Sequence, residues 1–293
     1  MKGIMTILMI LSAGFKIYGQ FNENMFSLNY SLNIPGKNTD AKDSDIDINF
    51  NIPVVINKVN MLNSLNFSQY QFSLPDNLSV TDNLEQLYTI SYGASFNYSF
   101  PNGYSINSNT DVLIASNLTS NINSDDLLLI GGISLKKENK NTTFELGIGY
   151  YTYLGKPQIL PRVKYSERIT DTFEYTAGFP YSALRYKLSE RSSLTAELDF
   201  NGNYINISSP VTINNGFSVN KVAFKTSTFG LLYNYKIGPD WSIIFKAGSY
   251  IYNDYKLYDQ KNNIKQHVGL LKSPYISTGI QLNIKNKILK NEK

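Results

Sequence analysis

The chain has 293 residues, of which 42% are hydrophobic, 13% aromatic and only 17% charged, with a formal charge of +4. Soluble domains carry roughly 25% charged residues, and so weak and scattered a positive charge excludes a nucleic-acid surface. Cysteine is absent, which excludes disulfides, thiolate metal sites, a cysteine nucleophile and a lipoprotein anchor.

The first segment stands apart from the rest. Lys2 precedes an apolar run from Ile4 to Phe15, about as long as the core of a signal peptide and too short to span a bilayer as a helix. Residues 1–19 are expected to be a signal peptide cleaved after Gly19, with an uncleaved anchor as the alternative. Residues 20–293 are expected to form one domain, because no linker or composition shift divides them. No later run reaches 18 apolar residues, so the remainder is not a helical membrane protein.

From Met25 onward the period is two. Phe26, Leu28, Tyr30, Leu32 and Ile34 alternate with Ser27, Asn29, Ser31 and Asn33, and Ile46, Ile48, Phe50 and Ile52 alternate with Asp47, Asn49 and Asn51. Such alternation puts one set on each face of a strand. The runs approach the roughly nine to eleven residues of a tilted membrane strand. In chain order, strands are expected near 24–34, 45–56, 64–72, 87–100, 104–115, 127–135, 142–152, 159–166, 172–177, 181–188, 193–204, 221–235, 241–252 and 275–285. This is an all-β antiparallel transmembrane barrel of about 14 strands, or 12 if 172–177 and 181–188 merge. The phase slips between Phe67 and Tyr70 and again between Phe224 and Phe229, and each slip reads as a bulge.

The connections alternate in length. Gly36–Lys42, Leu74–Glu85, Ser116–Asp126, Ile207–Ser218 and Asn253–Ser273 read as long outer loops. Pro101–Gly103, Lys136–Asn141, Ser189–Ser192 and Gly238–Asp240 read as tight periplasmic turns, the asymmetry expected of outer-membrane barrels. A soluble sandwich would also alternate, but with shorter strands and a polar outer face. Aromatics near the strand ends, among them Tyr98, Phe100, Tyr104, Tyr150, Tyr186 and Tyr235, suit an interfacial girdle instead. The first strand starts so soon after Gln20 that no amino-terminal plug is expected.

With the apolar phase in lipid, the other phase lines a lumen. Five consecutive strands then turn inward Glu145; Arg162 and Lys164; Glu174; Arg185 and Lys187; Glu197 and Asp199. The sign alternates from strand to strand, and neighbouring strands bring such groups within reach. The band reads as ion pairing that stabilises the wall, with a selectivity lining as the alternative. Chemistry is sparse elsewhere. His267, the single histidine, falls in the last long loop with no nucleophile placed beside it, so no catalytic residue and no enzyme activity is expected. Asp40, Asp43 and Asp45, like Asp125 and Asp126, are acidic loop clusters without calcium-loop spacing. No metal and no cofactor is expected. Gly131, Gly132, Gly147 and Gly149 lie on strands and read as relief of crowding within the barrel.

The segment Gly178-Phe179-Pro180-Tyr181-Ser182-Ala183-Leu184-Arg185-Tyr186-Lys187-Leu188-Ser189, followed by Ser193-Leu194-Thr195-Ala196-Glu197, resembles uncharacterised outer-membrane β-barrel families of Gram-negative bacteria that carry a domain-of-unknown-function label. The resemblance implies a bacterial outer-membrane location. It supplies no catalytic or binding residue. Many such barrels end in an aromatic residue, whereas this chain runs on through Lys285–Lys293. The expected partners are the outer-membrane bilayer, the barrel-assembly machinery and an unidentified small solute. The expected function is a pore or transport barrel. A surface-binding barrel closed by ion pairs is the second reading and an outer-membrane lipase the third.

Overall fold

The computed structural model describes residues 24–34, 43–56, 58–74, 84–213, 216–269 and 273–283. The signal peptide, its cleavage at Gly19, Asp40, the loop Gly36–Lys42 and the tail Lys285–Lys293 lie outside the described residues.

The two-residue alternation becomes a closed antiparallel sheet. Its strands are β1 (Phe26–Asn33), β2 (Ser44–Ile56), β3 (Val59–Gln71), β4 (Gln86–Ser99), β5 (Tyr104–Ser116), β6 (Leu127–Glu138), β7 (Thr142–Tyr151), β8 (Gln158–Arg168), β9 (Phe173–Phe179), β10 (Tyr181–Lys187), β11 (Ser192–Thr212), β12 (Ser218–Lys236), β13 (Trp241–Tyr258), β14 (Ile264–Gly269) and β15 (Pro274–Leu282). Each strand from β1 to β13 pairs with the next, β13 pairs with β15, and β15 pairs with β1 through Leu28 opposite Ile280. The ring of β1–β13 and β15 is a transmembrane barrel of 14 strands. β14 stands outside it, paired with the far end of β13. The merged, twelve-strand alternative is not formed, because β9 and β10 pair separately from Phe173 opposite Tyr186 to Thr176 opposite Ala183.

The outward phase is apolar. Phe50, Ile52, Tyr92, Val112, Leu129, Ile133, Leu146, Ile148, Leu184, Leu231 and Phe245 are all exposed, which closed sheets tolerate only against lipid. Aromatics gather where the tight turns lie, with Tyr98, Phe100, Tyr104, Tyr186, Tyr235 and Trp241 exposed there. Leu198 and Phe200 share the outward parity and are half-buried. A single Ile148→Arg substitution on this face should cost about 2–4 kcal/mol if it lies at mid-depth, read as a shift in urea unfolding from vesicles. A loss under about 0.5 kcal/mol, the range of ordinary surface substitutions, would place Ile148 in water.

Two loops and two phase slips depart from the sequence-based expectation. Ile207–Ser218 and Asn253–Ser273 are not simply loops: β11, β12 and β13 run for 21, 19 and 18 residues, and β14 lies within the second stretch. Such lengths exceed what a bilayer needs, so these strands project beyond the wall at the end opposite the tight turns. Neither phase slip is a bulge in its own strand. β3 pairs without interruption on both sides, and Tyr70 and Phe224 are aromatic side chains on the inward parity, both buried. A bulge does lie opposite the second slip, but on the partner strand β13, where Ser227 pairs with Tyr252 and Thr228 with Tyr250, leaving Ile251 as the extra residue; the pairing also shifts register between Asn206 and Val211 of β11 and between Leu257 and Tyr258 of β13.

Candidate functional site

The lumen takes its chemistry from the inward parity. Glu145, Arg162, Lys164, Glu174, Arg185, Lys187, Glu197 and Asp199 occupy inward positions on β7 to β11, and register sets Glu145 opposite Lys164 and Glu174 opposite Arg185. Side chains then choose among these neighbours. Glu145, 5% exposed, receives Ser134 Oγ at 2.6 Å and lies 3.4 Å from Arg162 Nε. Glu197, 8% exposed, lies 2.5 Å from Lys246 Nζ and accepts from Tyr181 OH at 3.1 Å. Glu174 faces two guanidiniums, Arg168 on β8 and Arg185 on β10, and comes within 3.8 Å of Arg168 only. Lys187 turns to the exposed Glu190 at 2.6 Å. Among the described residues, no carboxylate lies within ion-pair distance of Lys164 or Arg185.

Other groups in the lumen lay beyond the sequence reading. Lys246 is on the inward parity of β13 with Ser242 and Ile244, a signal that strand parity alone could have supplied. Asp45 is an inward residue of β2 rather than part of a loop cluster, and Asp47 faces inward beside it, on the phase that the alternation gives it. Asp47 accepts from Ser68 Oγ at 2.6 Å, and Asp43, just before the strand, accepts from Asn33 Nδ2 and the Ser73 backbone N–H, both at 3.1 Å. Asp111 sits across the β4–β5 pair from Gly93. The glycines also acquire a reason. Tyr151 lies across Gly132 and Gly149, its hydroxyl donating to Asn109 at 2.8 Å, and Tyr275 lies across Gly248 and Gly230. A Cβ at any of these four positions would collide with a tyrosine.

Towards the tight turns the lumen opens into a cavity of about 570 Å³ lined by Glu174, Tyr181, Arg185, Thr195, Glu197 and Lys236 among others. Its lining continues down to Pro239 and Asp240 of the β12–β13 turn.

At the opposite end the mouth is covered. The extended part of β11 crosses to β5, six strands away in a ring of fourteen, where Asn206 pairs with Ser116. The crossing is fastened by Ser116 Oγ to Ser208 Oγ at 2.7 Å, Ser208 N–H to Asn117 Oδ1 at 3.0 Å, and Asn206 Nδ2 to the buried Asp126 at 2.9 Å. Beneath it an apolar core joins Ile205, Ile207, Val219, Val222, Tyr255 and Leu257 from the projecting strands to Tyr70 and Leu87 of the wall strands and to Phe72 and Leu84 just beyond the ends of β3 and β4. Tyr70 and Phe72 pack edge-on against Phe224 at 4.8 and 5.0 Å. Tyr255, fully buried, donates to the Leu84 carbonyl at 2.7 Å. Together these strands form a lid seated on the barrel through a shared hydrophobic core.

One charged cluster holds the lid strands together. Asp254 on β13 is 2% exposed. Its Oδ2 lies 3.1 Å from Lys256 and 3.8 Å from Lys225 of β12, and accepts from Tyr252 OH at 3.0 Å. His267, expected in a solvated loop, is on β14 with Nε2 against Asp254 Oδ1. The exposed turn beyond carries Asp259, whose carboxyl is lowered to about 2 by the Asn263 backbone N–H and by Lys265. Burial opposes ionisation of Asp254, but hydrogen bonds from Lys256 and Tyr252 and the charges of Lys256 and His267 hold its carboxyl below the usual 3.8. A carboxyl depressed in the folded state stabilises fully above its unfolded pKa and loses that contribution as pH falls through the folded value. Protease cleavage near 259–263 should therefore rise as wild-type protein is taken below about pH 4. The Asp254→Asn variant should show that cleavage at neutral pH, and equal resistance of both chains at pH 7 would overturn this role.

Comparison with known proteins adds the family. Among solved structures, the chain is similar to the KdgM porin in complex with disordered oligogalacturonate (10% identity, 88% of this chain and 99% of that one, TM-score 0.36). It is also similar to the COG4313 outer membrane channel from Pseudomonas putida F1 (9% identity, 90% and 97%, TM-score 0.45) and to outer membrane phospholipase A from Escherichia coli (11% identity, 94% and 96%, TM-score 0.39). No curated protein sequence matches the chain. A family profile matches residues 27–283, nearly the whole barrel, and by that match the chain belongs to the family described as domain of unknown function DUF6268.

Proposed function

We propose that this protein is a pore of the bacterial outer membrane that admits small polar solutes to its lumen from the periplasmic side and passes them outward when the lid lifts. The observation that carries the reading is the sequence of spaces along the axis: a polar cavity reaching the tight turns, and above it a folded lid in place of a solid wall. The closed apolar-belted barrel supports the membrane setting. The even strand number returns β1 and β15 to the tight-turn end, which is the periplasmic side in such barrels.

A second reading, the ion-paired scaffold, draws on the contacts Glu145–Arg162 and Glu197–Lys246. The enzyme reading has little to draw on, since the polar partner of His267 among the described residues is a carboxylate rather than a hydroxyl. The absence of cysteine makes a clean test of the pore possible. In a Ser116→Cys/Ser208→Cys chain, reconstituted in a planar bilayer, oxidation should suppress openings and reduction should restore them. Openings identical in both states would overturn the gate. Silence in both states, together with silence of lid-core variants, would favour the scaffold.

A further inference from the structure

Resting on the pore reading, we propose that the lumen holds a binding site for a small polar solute bearing a carboxylate, with Arg185 as its anchoring residue. The ion pairs of this wall leave one guanidinium over. Glu174 is a single carboxylate set directly between Arg168 and Arg185, and it comes within ion-pair distance of Arg168 alone. The next acid along, Glu197, is already satisfied by Lys246 and Tyr181. Lys187, one inward position below Arg185, turns down to Glu190. Among the described residues the Arg185 guanidinium is thus left exposed to the lumen with no carboxylate at ion-pair distance, and it lines two adjoining cavities. One is the chamber of about 570 Å³, and the other, of about 160 Å³, is ringed by Arg168, Arg185, Lys187, Asp171 and Glu174.

A guanidinium offers paired N–H donors whose spacing matches a carboxylate. The larger chamber falls within the roughly 300–1,000 Å³ of small-ligand pockets. Its remaining lining suits hydroxyl groups rather than hydrocarbon: Ser193, Thr195, Asn234, Gln281 and Asn283 present hydroxyls and amides. Glu174, Glu197 and Asp240 also line the chamber and limit the negative charge it can take, which suits a single carboxylate.

The test uses the full chain in detergent, with gluconate as the carboxylate probe and glucitol as its uncharged counterpart, by titration calorimetry at low salt. Gluconate should bind measurably more tightly than glucitol, and Arg185→Gln should weaken gluconate at least tenfold while leaving glucitol unchanged. Adding salt should weaken gluconate in the wild type. Arg191→Gln, on the adjacent exposed turn, should leave binding as it is and so control for general surface charge. Equal binding of both probes, or an Arg185→Gln chain that binds gluconate as well as the wild type, would overturn the site. Because binding is read without conduction, a chain that conducts but does not bind gluconate defeats this inference and spares the pore. A chain that binds but never conducts does the reverse.

Discussion

A Tyr255→Ala chain should insert as an intact barrel, lose its lid and conduct far more than the wild type. The ring is fully buried, packs edge-on against Phe72 at 5.0 Å and bonds the Leu84 carbonyl. Truncating a buried aromatic to alanine costs about 3–5 kcal/mol. Here that cost falls on lid docking, because none of those contacts belongs to the wall's hydrogen-bond ladder. A 3 kcal/mol loss shifts a closed-to-open ratio by roughly a hundredfold. Tyr255→Phe removes only the hydroxyl and should cost about 1 kcal/mol, so conductance should rank wild type, Phe, Ala. Migration of the unboiled protein on a gel reports whether the barrel is intact. A well-folded Tyr255→Ala chain that conducts no more than the wild type would sink the gate and leave the scaffold.

Lys246→Met should destabilise the barrel by about 3–5 kcal/mol, the range for removing one partner of a buried ion pair. Glu197 is nearly buried, and among the described residues Tyr181 would remain as its one donor. Removing both charges, as Lys246→Met with Glu197→Gln, should recover most of the loss, because the cost lies in stranding a charge rather than in losing a contact. Urea unfolding from vesicles reads both. If the single variant loses less than about 1 kcal/mol, the pair behaves as a water-screened one and the lumen is wetter at this depth than the burial of Glu197 indicates.

Most of the wall was legible because alternation is a local property. Phe26 to Asn33 and Ser44 to Ile56 state their own parity, and a strand with correct parity places every side chain on its face. The lid was illegible for the same reason. Reading apolar residues as lipid-facing holds only inside the bilayer. Tyr70 and Phe224 therefore looked like register errors, although they are inward side chains that touch each other from opposite parts of the barrel. Lys246 was overlooked because its partner lies two strands away around the ring, beyond nearest-neighbour reasoning. The choice of Glu174 for Arg168 over Arg185 was equally out of reach, since both are direct cross-strand neighbours and strand pairing ranks neither.

The crossing of β11 to β5 also bears on the order in which the molecule can fold. The lid's fastenings are far apart in sequence: Ser116 from Ser208 by 92 residues, and Tyr255 from Leu84 by 171. Contacts of such separation form late, after the intervening chain has been organised. Here that chain is the wall itself, so the lid finds its seat only once the cylinder exists. Biogenesis would then pass through an unlidded, uncapped barrel with the apolar surfaces of Ile205, Val222 and Leu257 still open to water. Time-resolved proteolysis during refolding into vesicles should catch that species as a barrel already resistant along its wall and still cleavable near 259–263.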